Sequence, residues 1–537
     1  MGRQGKRVFY FLGGATILSL GLLCFGASAE DREVALRTLA LGTGAGLIAV
    51  PLGVVITWVC RSPSFVSRLL LLTCIGLVFM PLFLQVSAWD SAFGKLGWLS
   101  TGGESLQPIL TGWWAAVWIH GVAAAPQVAL IMMIGLSLAG RADEEQAMLD
   151  ASPFAVFLNV TLRQLLPLVA VGFVWTLVVS AREIAVTDIY RIGTLAEQVY
   201  LGYSLGQFNS GLNPWSDEAI AQAESTSWQL TVAVMFWIVV VLLVTISYYL
   251  SGYRASRDKI ENRSTLDPMT RSKQGVGLIL LTAMAIVPVG NLFIRASFGV
   301  NRVSGEPVPG YSLNQLARSI GQVFTDYFYE FQWSLSIAVV AASSLTLVAL
   351  GFAWLAVESR WWRALFVVSI GVLAAVPGPL LGVAVVQLFT CQDIDWLNYL
   401  FDRTIFPSAL VVAAFCWPLV GLIMYFILAG TGTDSLEHAR MEGASRFTRL
   451  VRIVLVQNIP AISGCFLIAL ILGFGELSAS QMVLPAGIDT VPRRMLGLLH
   501  SGVNELTAAF SIVNFSVIFL TALLVWPLLR KSRRNRA

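Results

Sequence analysis

The stretch MEGASRFTRLVRIVLVQNIP, residues Met441 to Pro460, is a basic segment between two long apolar runs. Its three arginines, Arg446, Arg449 and Arg452, recur every three residues and are predicted to lie near one face of a helix. An earlier stretch, LDASPFAVFLNVTLRQLLP from Leu149 to Pro167, aligns with it without a gap. The chain therefore contains an internal repeat, which determines how the rest of the sequence is divided.

The repeat matches polar as well as apolar residues at a constant offset of 293 positions. The matched pairs are Glu144 with Glu437, Ala151 with Ala444, Ser152 with Ser445, Gln164 with Gln457, Pro167 with Pro460 and Glu183 with Glu476. Chance similarity between apolar segments explains matching leucines but not these pairs. Both copies precede an apolar span and fall on the same predicted side of the membrane. The repeat is therefore parallel, unlike the inverted repeats of many secondary transporters.

The composition is typical of a chain that crosses a membrane many times. Of 537 residues, 56% are hydrophobic and 12% are charged, whereas soluble domains carry about 25% charged residues. The net charge of +4 indicates no nucleic-acid partner, and the six scattered cysteines predict neither a disulfide framework nor a metal site. Twelve segments are long and apolar enough to span: 8–29, 34–58, 66–88, 112–138, 164–186, 228–250, 276–295, 332–356, 363–390, 405–429, 459–484 and 506–529.

These spans predict an all-α polytopic membrane protein with about 12 transmembrane helices in two parallel, pseudo-symmetric halves of six. Lys and Arg concentrate in alternate connections, which predicts that both termini are cytoplasmic. The predicted parts are a first half at 1–250, a basic cytoplasmic linker at 251–274, a second half at 275–529 and a basic tail at 530–537. Residues 1–29 have features of a cleaved signal peptide, but the matching extra span of the second half favours an uncleaved helix.

The repeated segments are predicted to be helix–turn–helix levers at the cytoplasmic surface. In the second copy a short helix breaks at Gly443, where glycine permits a positive φ. Ser445 is a candidate N-cap for the next helix, and Pro460 marks its entry into the membrane. Because each lever is attached to a spanning helix, a cytoplasmic partner that displaces it could also move that helix.

This segment resembles the EAA loop of ABC-transporter permease subunits. The residues that carry the resemblance are Glu437, Ala439, Gly443, Ala444, Ser445, Ile453 and Leu455. The chain as a whole is similar to fused two-half permeases of the iron(III)/thiamine type of importer. The resemblance implies two ATPase-coupling loops, at 141–167 and 434–460, which are called the first loop and the second loop below. Their coupling residues would be Glu144, Asp150, Ala151, Ser152 and Pro167 in the first loop, and Glu437, Ala439, Gly443, Ala444, Ser445 and Pro460 in the second.

The two copies depart from the family pattern in different ways. In the first loop Asp150 stands where the family has glycine, and because Asp tolerates a left-handed φ the turn is expected to survive. In the second loop His438 takes the place of the first alanine, and Val456 that of the expected proline. We therefore expect both loops to contact the ATPase, but not necessarily in the same way.

The matched carboxylates Glu183 and Glu476 come late in the spans that follow the loops. An acid at membrane depth usually faces a bundle interior or water, so one interpretation is a pair of pore or gate residues that complement a cation. The alternative is two helix-end carboxylates that local donors satisfy. Prolines inside spans, such as Pro81, Pro126 and Pro418, indicate either kinks that could gate a pore or ordinary bundle geometry.

The leading hypothesis is an inner-membrane permease of a binding-protein-dependent ABC importer, with iron(III) as substrate by family resemblance; thiamine, a phosphonate or a polyamine remains open. No phosphate-binding loop is present in the sequence, so a separate subunit would bind ATP and Mg²⁺, and the chain itself would be no enzyme and hold no cofactor. The implied partners are an ABC ATPase dimer and a periplasmic or lipid-anchored substrate-binding protein. Competing hypotheses are an ion-coupled secondary transporter and an integral membrane enzyme.

Overall fold

A computed structural model describes residues 29–62, 64–99, 108–136, 142–204, 270–303, 306–390, 394–431 and 433–534, together with residues 234, 238 and 241. In this part of the chain almost every element is a helix, and the fold is that of an all-α polytopic membrane protein, which confirms the predicted fold class.

The elements are numbered here in chain order. The first are α1 Ala29–Cys60, α2 Phe65–Val78, α3 Leu82–Phe93, α4 Gly112–Leu136, α5 Ala142–Ala147, α6 Pro153–Val156, α7 Leu162–Arg182, α8 Ala185–Ile189 and α9 Leu195–Ser204. They are followed by α10 Arg271–Leu281, α11 Val287–Ser297, β1 Phe298–Val303, β2 Glu306–Tyr311, α12 Leu313–Asp326, α13 Phe328–Glu358, α14 Arg360–Ala375, α15 Gly378–Thr390, α16 Asp395–Arg403 and α17 Phe406–Ala429. The last are α18 Thr433–Met441, α19 Arg446–Arg449, α20 Val456–Phe474, a 3₁₀ turn Ser480–Met482, α21 Val491–His500 and α22 Glu505–Arg534. Three π-helical segments, Phe157–Thr161, Thr282–Ile286 and Leu450–Leu455, join α6 to α7, α10 to α11 and α19 to α20.

Eight described helices are long and apolar enough to cross a membrane, and the number rises to ten if two bent helix pairs each form one span. Each of these ten overlaps one predicted span. Nearly all of the other two predicted spans, 8–29 and 228–250, lies outside the described residues, so the total of twelve stays a prediction.

The two bent pairs are α2 with α3 and α14 with α15, at angles of 111° and 108°. Pro81 precedes α3 and Pro377 precedes α15, and a proline at that point cannot continue the preceding helix. Pro126 and Pro418, in contrast, lie inside the uninterrupted helices α4 and α17. Two of the prolines therefore break a span, and the other two are part of ordinary helix geometry.

The chain divides into two compact units, the first of which comprises Met1–Gln198, Ser227–Thr325 and Leu496–Val513. Its core is α1 packed along α4 and α7. A Cβ on Gly53 of α1 would meet Val128 Cγ1 of α4 at 2.7 Å, so the two backbones approach closely. Small residues that permit such an approach are typical of helix pairs in membranes. Helices α10 and α11 follow the predicted linker in sequence and pack against α2 and α3 of this unit.

The second unit comprises Val199–Thr226, Asp326–Met495 and Asn514–Ala537. Here α13 packs along α17 and α20, and α14 lies beside α13 and α17. An aromatic group of Phe352, Phe366, Trp417 and Tyr425 fills the space between these helices, with neighbouring rings 5.4–5.8 Å apart. Each unit is thus built on one long helix, α1 or α13, with two further spans against it.

The connection between α11 and α13 contains a β-hairpin and a helix. Strands β1 and β2 pair antiparallel, with Phe298 opposite Tyr311. The amphipathic helix α12 follows. The counterpart at 187–227 has the helices α8 and α9 in its described part.

Candidate functional site

Both loops have the helix–turn–helix form that the sequence predicts. In the first, α5 leads through a turn to α6, and the Ser152 hydroxyl accepts a hydrogen bond from Ala155 N at 3.3 Å. In the second, α18 leads to α19, and the Ser445 hydroxyl accepts one from Thr448 N at 3.1 Å. Because each hydroxyl binds a backbone N–H of the first turn, both serines are N-caps.

The turns between these helices close differently in the two loops. Gly443 has a φ of +78°, and Ala444 N donates to Ala439 O at 2.9 Å, a bond that spans five residues. In the first loop Ala151 N donates to Ala147 O at 3.0 Å, across four residues. Arg191 is the only described residue other than glycine with a positive φ, so Asp150 does not use the left-handed conformation that it tolerates. The first loop still turns, but without the left-handed step of a Schellman motif.

A π-helical segment begins at the same repeat position in each loop, at Phe157 and at Leu450. The matched prolines Pro167 and Pro460 lie a few residues further on, inside α7 and α20. The sequence predicted a helix start here but not the π-helical geometry, which often marks functional sites.

Both loops have exposed apolar side chains, although the Phe154 ring also packs edge-on against Trp58, with the ring centres 5.2 Å apart. Leu149 and Phe154 of the first loop are 84% and 52% exposed, and Met441 and Phe447 of the second are 76% and 73% exposed. Phe154 and Phe447 occupy the same repeat position. Exposed apolar side chains at matching positions are typical of a surface that a partner protein covers.

The three arginines of the second loop do not share one environment. Arg446 and Arg452 are exposed, whereas Arg449 is buried. The Arg449 guanidinium donates to both carboxylate oxygens of Glu358, at 3.1 and 3.2 Å. Arg440 donates to the same carboxylate at 2.6 Å. The second loop is thus held to the last residue of α13.

The first loop is held by a different pair of residues. Arg61, just after α1, donates to Glu144 Oε2 at 2.7 Å and to Thr161 Oγ1 at 2.9 Å. Thr161 Oγ1 in turn donates to Glu144 Oε1 at 2.6 Å. Glu144 is buried in this group, whereas the matched Glu437 is exposed. The two glutamates at the start of the EAA-like motif therefore have different surroundings.

Glu183 and Glu476, the predicted pore or gate residues, both bind backbone amides of the turn that follows them. Glu183 accepts from Ala185 N and Val186 N at 2.7 and 3.1 Å. Glu476 accepts from Ala479 N and Ser480 N at 2.7 and 2.9 Å. This geometry matches the alternative of carboxylates satisfied by local donors. A pore or gate role for them stays a prediction.

Glu197 lies near Asp188 in the region after Glu183, outside the candidate spans. It is buried, and its Oε2 has no hydrogen-bond partner. Burial, with the charge of Asp188 as a second cause, raises the pKa of Glu197 to about 7. Asp188 itself lies 3.3 Å from His500 Nε2. In the described part of the chain no group of three or more His, Cys, Asp or Glu side chains is placed to hold a metal ion.

The raised pKa of Glu197 predicts a pH-dependent stability. The folded chain binds the Glu197 proton more tightly than the unfolded chain does. The free energy of unfolding therefore falls as the pH rises from about 4.5, the ordinary pKa of a glutamate, to about 7, the pKa of Glu197 in the folded chain. Glu197→Gln should therefore raise the free energy of unfolding by about 2 kcal/mol at pH 8 and change it little at pH 4. Thermal melting of the detergent-solubilised protein at both pH values measures this, and an equal shift at both would contradict it.

No protein-family model matches the chain. Two curated relatives are the spermidine/putrescine transport system permease protein PotC of Escherichia coli strain K12 and that of Haemophilus influenzae. The first is 26% identical over 222 residues, which are 41% of this chain and 78% of the relative. The second is 26% identical over 198 residues, which are 36% of this chain and 74% of the relative. These relatives support an ABC importer permease.

The permease assignment agrees with the multi-pass helical fold and supports a place in the inner membrane. Relatives of this kind are subunits of transport systems and not enzymes themselves, and such systems include an ATPase and a substrate-binding protein. The finer expectation of an iron(III)/thiamine type is not supported, because both relatives are named for polyamines.

Proposed function

We propose that the chain forms the translocation pore of a binding-protein-dependent ABC importer and that its substrate is a polyamine. The observation that carries the proposal is the repeated loop, with its serine caps, π-helical segments and exposed apolar side chains at matching positions. The names of the relatives support the substrate class. In this proposal both termini are cytoplasmic.

The mechanism requires no chemistry from the chain itself. A separate ATPase subunit pair binds ATP and Mg²⁺ and receives Leu149 and Phe154 on one side, and Met441 and Phe447 on the other. Closure of the ATPase pair would draw the two loops together, and hydrolysis would release them. The coupling is a shift between two packings of the helices, so the ATPase must bind one packing more tightly than the other.

Phe154→Asp and Phe447→Asp test the loops directly. A charge placed in an apolar contact should lower co-purification of the ATPase and uptake of labelled spermidine by at least about tenfold for each variant, since aromatic anchors dominate such interfaces. Leu313→Asp is the control for a charge at an exposed apolar position, because Leu313 is 81% exposed and lies in α12, outside both loops.

Three outcomes are distinguishable in this experiment. If ATPase binding and uptake survive both phenylalanine changes, the loops are not the docking elements and the permease proposal loses its main support. If the wild-type complex forms but transports thiamine or iron(III) instead of spermidine, the substrate class is wrong and the permease assignment remains. If uptake persists without any ATPase, an ion-coupled transporter replaces the proposal.

A further inference from the structure

Each loop is bound to the end of the long helix on which its own unit is built. Arg61 directly follows α1, and Glu358 is the last residue of α13. The two helices occupy equivalent places in their units. Each also binds, through a side-chain hydroxyl, the first backbone amide of a helix that follows Glu183 or Glu476 in sequence. Thr38 Oγ1 of α1 accepts from Leu195 N at 3.0 Å, and Ser334 Oγ of α13 accepts from Val491 N at 2.8 Å.

The two connections have opposite polarity. In the first unit the long helix is followed by the cation, Arg61, and the loop supplies the carboxylate of Glu144. In the second unit the long helix ends with the carboxylate, Glu358, and the loop supplies the cation, Arg449. The residue types are exchanged and the loop positions differ, yet an ion pair joins the loop to the helix end in both units. The shared feature is the connection itself, not a matched residue.

Both ion pairs are largely removed from solvent. The side chains of Arg449 and Glu358 are 6% and 5% exposed, and those of Arg61 and Glu144 are 13% and 9% exposed. The guanidinium of Arg61 also lies 5.7 Å from the centre of the Phe157 ring, in the π-helical segment. Removal of one partner of a buried pair leaves an uncompensated charge, so such a connection resists separation much more than an exposed pair does.

We propose that the Arg61–Glu144 and Arg449–Glu358 pairs are positioning contacts that make each loop move together with the long helix of its unit. They would transmit the displacement of the ATPase to α1 and α13, while the apolar side chains of the loops make the docking contact. In this arrangement Glu144 makes its contacts within the permease, and the exposed Glu437 remains available to contact the ATPase. The inference rests on the proposed function, that the loops dock on an ATPase.

Charge reversal tests the two contacts separately from docking. The single variants are Arg61→Glu, Glu144→Arg, Glu358→Arg and Arg449→Glu, and each unit also receives the double exchange that restores an ion pair with reversed polarity. Three quantities are measured on the complete complex: the amount of ATPase that co-purifies, the rate of ATP hydrolysis with binding protein present, and the substrate transported per ATP hydrolysed.

Each single reversal should retain the ATPase to within about twofold but lower the transport per ATP by about tenfold or more, the usual size of a coupling between sites. The double exchange should recover most of that loss in the first unit and less of it in the second, where Arg440 also donates to the Glu358 carboxylate. Arg68→Glu and Arg360→Glu are matched controls, because both arginines are exposed near the same helix ends and make neither ion pair. They should transport as the wild type does.

The inference is overturned if the single reversals transport at the wild-type ratio, or if the double exchange in the first unit restores folded complex without restoring that ratio. If a single reversal does not fold, Glu144→Gln and Glu358→Gln replace it in the same assay, because glutamine keeps the size of the side chain. A wild-type ratio of substrate transported per ATP in both variants overturns the inference. Failure of the proposed function looks different, because then no ATPase co-purifies even with the wild-type chain.

Discussion

Glu476→Ala should leave little folded protein, with a loss of about 3 kcal/mol or more in the free energy of unfolding. Glu476 is 5% exposed, and its carboxylate accepts from two buried backbone amides, Ala479 N and Ser480 N. Each buried donor left without an acceptor costs about 1–3 kcal/mol. Folded fraction and melting temperature, measured by size-exclusion chromatography after heating, give the result.

Glu183→Ala is the matched control within the same chain. Glu183 makes the same pair of hydrogen bonds, to Ala185 N and Val186 N, but it is only partly buried, so water replaces the lost acceptor more easily. Its loss should be about 1 kcal/mol. Equal losses for the two variants would contradict the argument from burial.

Glu476→Gln separates a structural carboxylate from a pore residue. The amide oxygen accepts one backbone hydrogen bond but the amide nitrogen accepts none, so an intermediate loss of stability is expected if the carboxylate serves the turn. A variant that is fully stable but no longer transports would instead favour the pore or gate interpretation, in which the negative charge complements a cation.

The spans and the loop caps could be predicted from the sequence because their causes are local. Runs of about 20 apolar residues identify spanning helices regardless of their neighbours. Gly443 and Ser445 are equally local, since a left-handed turn and an N-cap depend on one residue and the next few amides. Each of these features is present in the described structure.

The ion pairs that bind the loops could not be predicted in the same way. Glu358 and Arg449 are separated by 91 positions, and Arg61 and Glu144 by 83. The internal repeat does not reveal these ion pairs. The acid and the base are exchanged between the two units, and the paired residues do not occupy matching repeat positions. The burial of Arg449 is equally non-local, because it depends on Glu358, an acid that is distant in sequence.

The residue types do not specify the π-helical segments or the backbone form of the turn at Asp150. A π-helical turn has no distinct composition, so the residue types in these segments do not reveal it. Asp150 tolerates a left-handed φ but does not require one, and the four-residue bond from Ala151 N to Ala147 O closes the turn without it. Glycine adopts a left-handed φ readily, so Gly443 predicts such a turn more strongly than Asp150 does.

Gly53→Leu should prevent the first unit from packing. A Cβ at Gly53 would lie 2.7 Å from Val128 Cγ1, 2.9 Å from Val128 Cβ and 3.2 Å from Ala129 N, so the added atoms meet backbone as well as side chain. Overpacking in a rigid interior costs about 1–3 kcal/mol and at times more. In a membrane, an apolar helix face is equally well solvated by lipid tails and by a partner helix. Close packing therefore holds α1 against α4, and little attraction remains once that packing is lost.

Gly351→Leu in α13 is the matched control for this change. A Cβ at Gly351 would meet nothing within 4 Å, so the same side chain enters open space in a helix of similar length. We expect Gly53→Leu to yield mostly aggregated protein in size-exclusion chromatography, and Gly351→Leu to elute and melt as the wild type does. A stable Gly53→Leu protein would show that α1 and α4 separate readily, so that a displacement of α1 by its loop would not reach α4 through rigid packing.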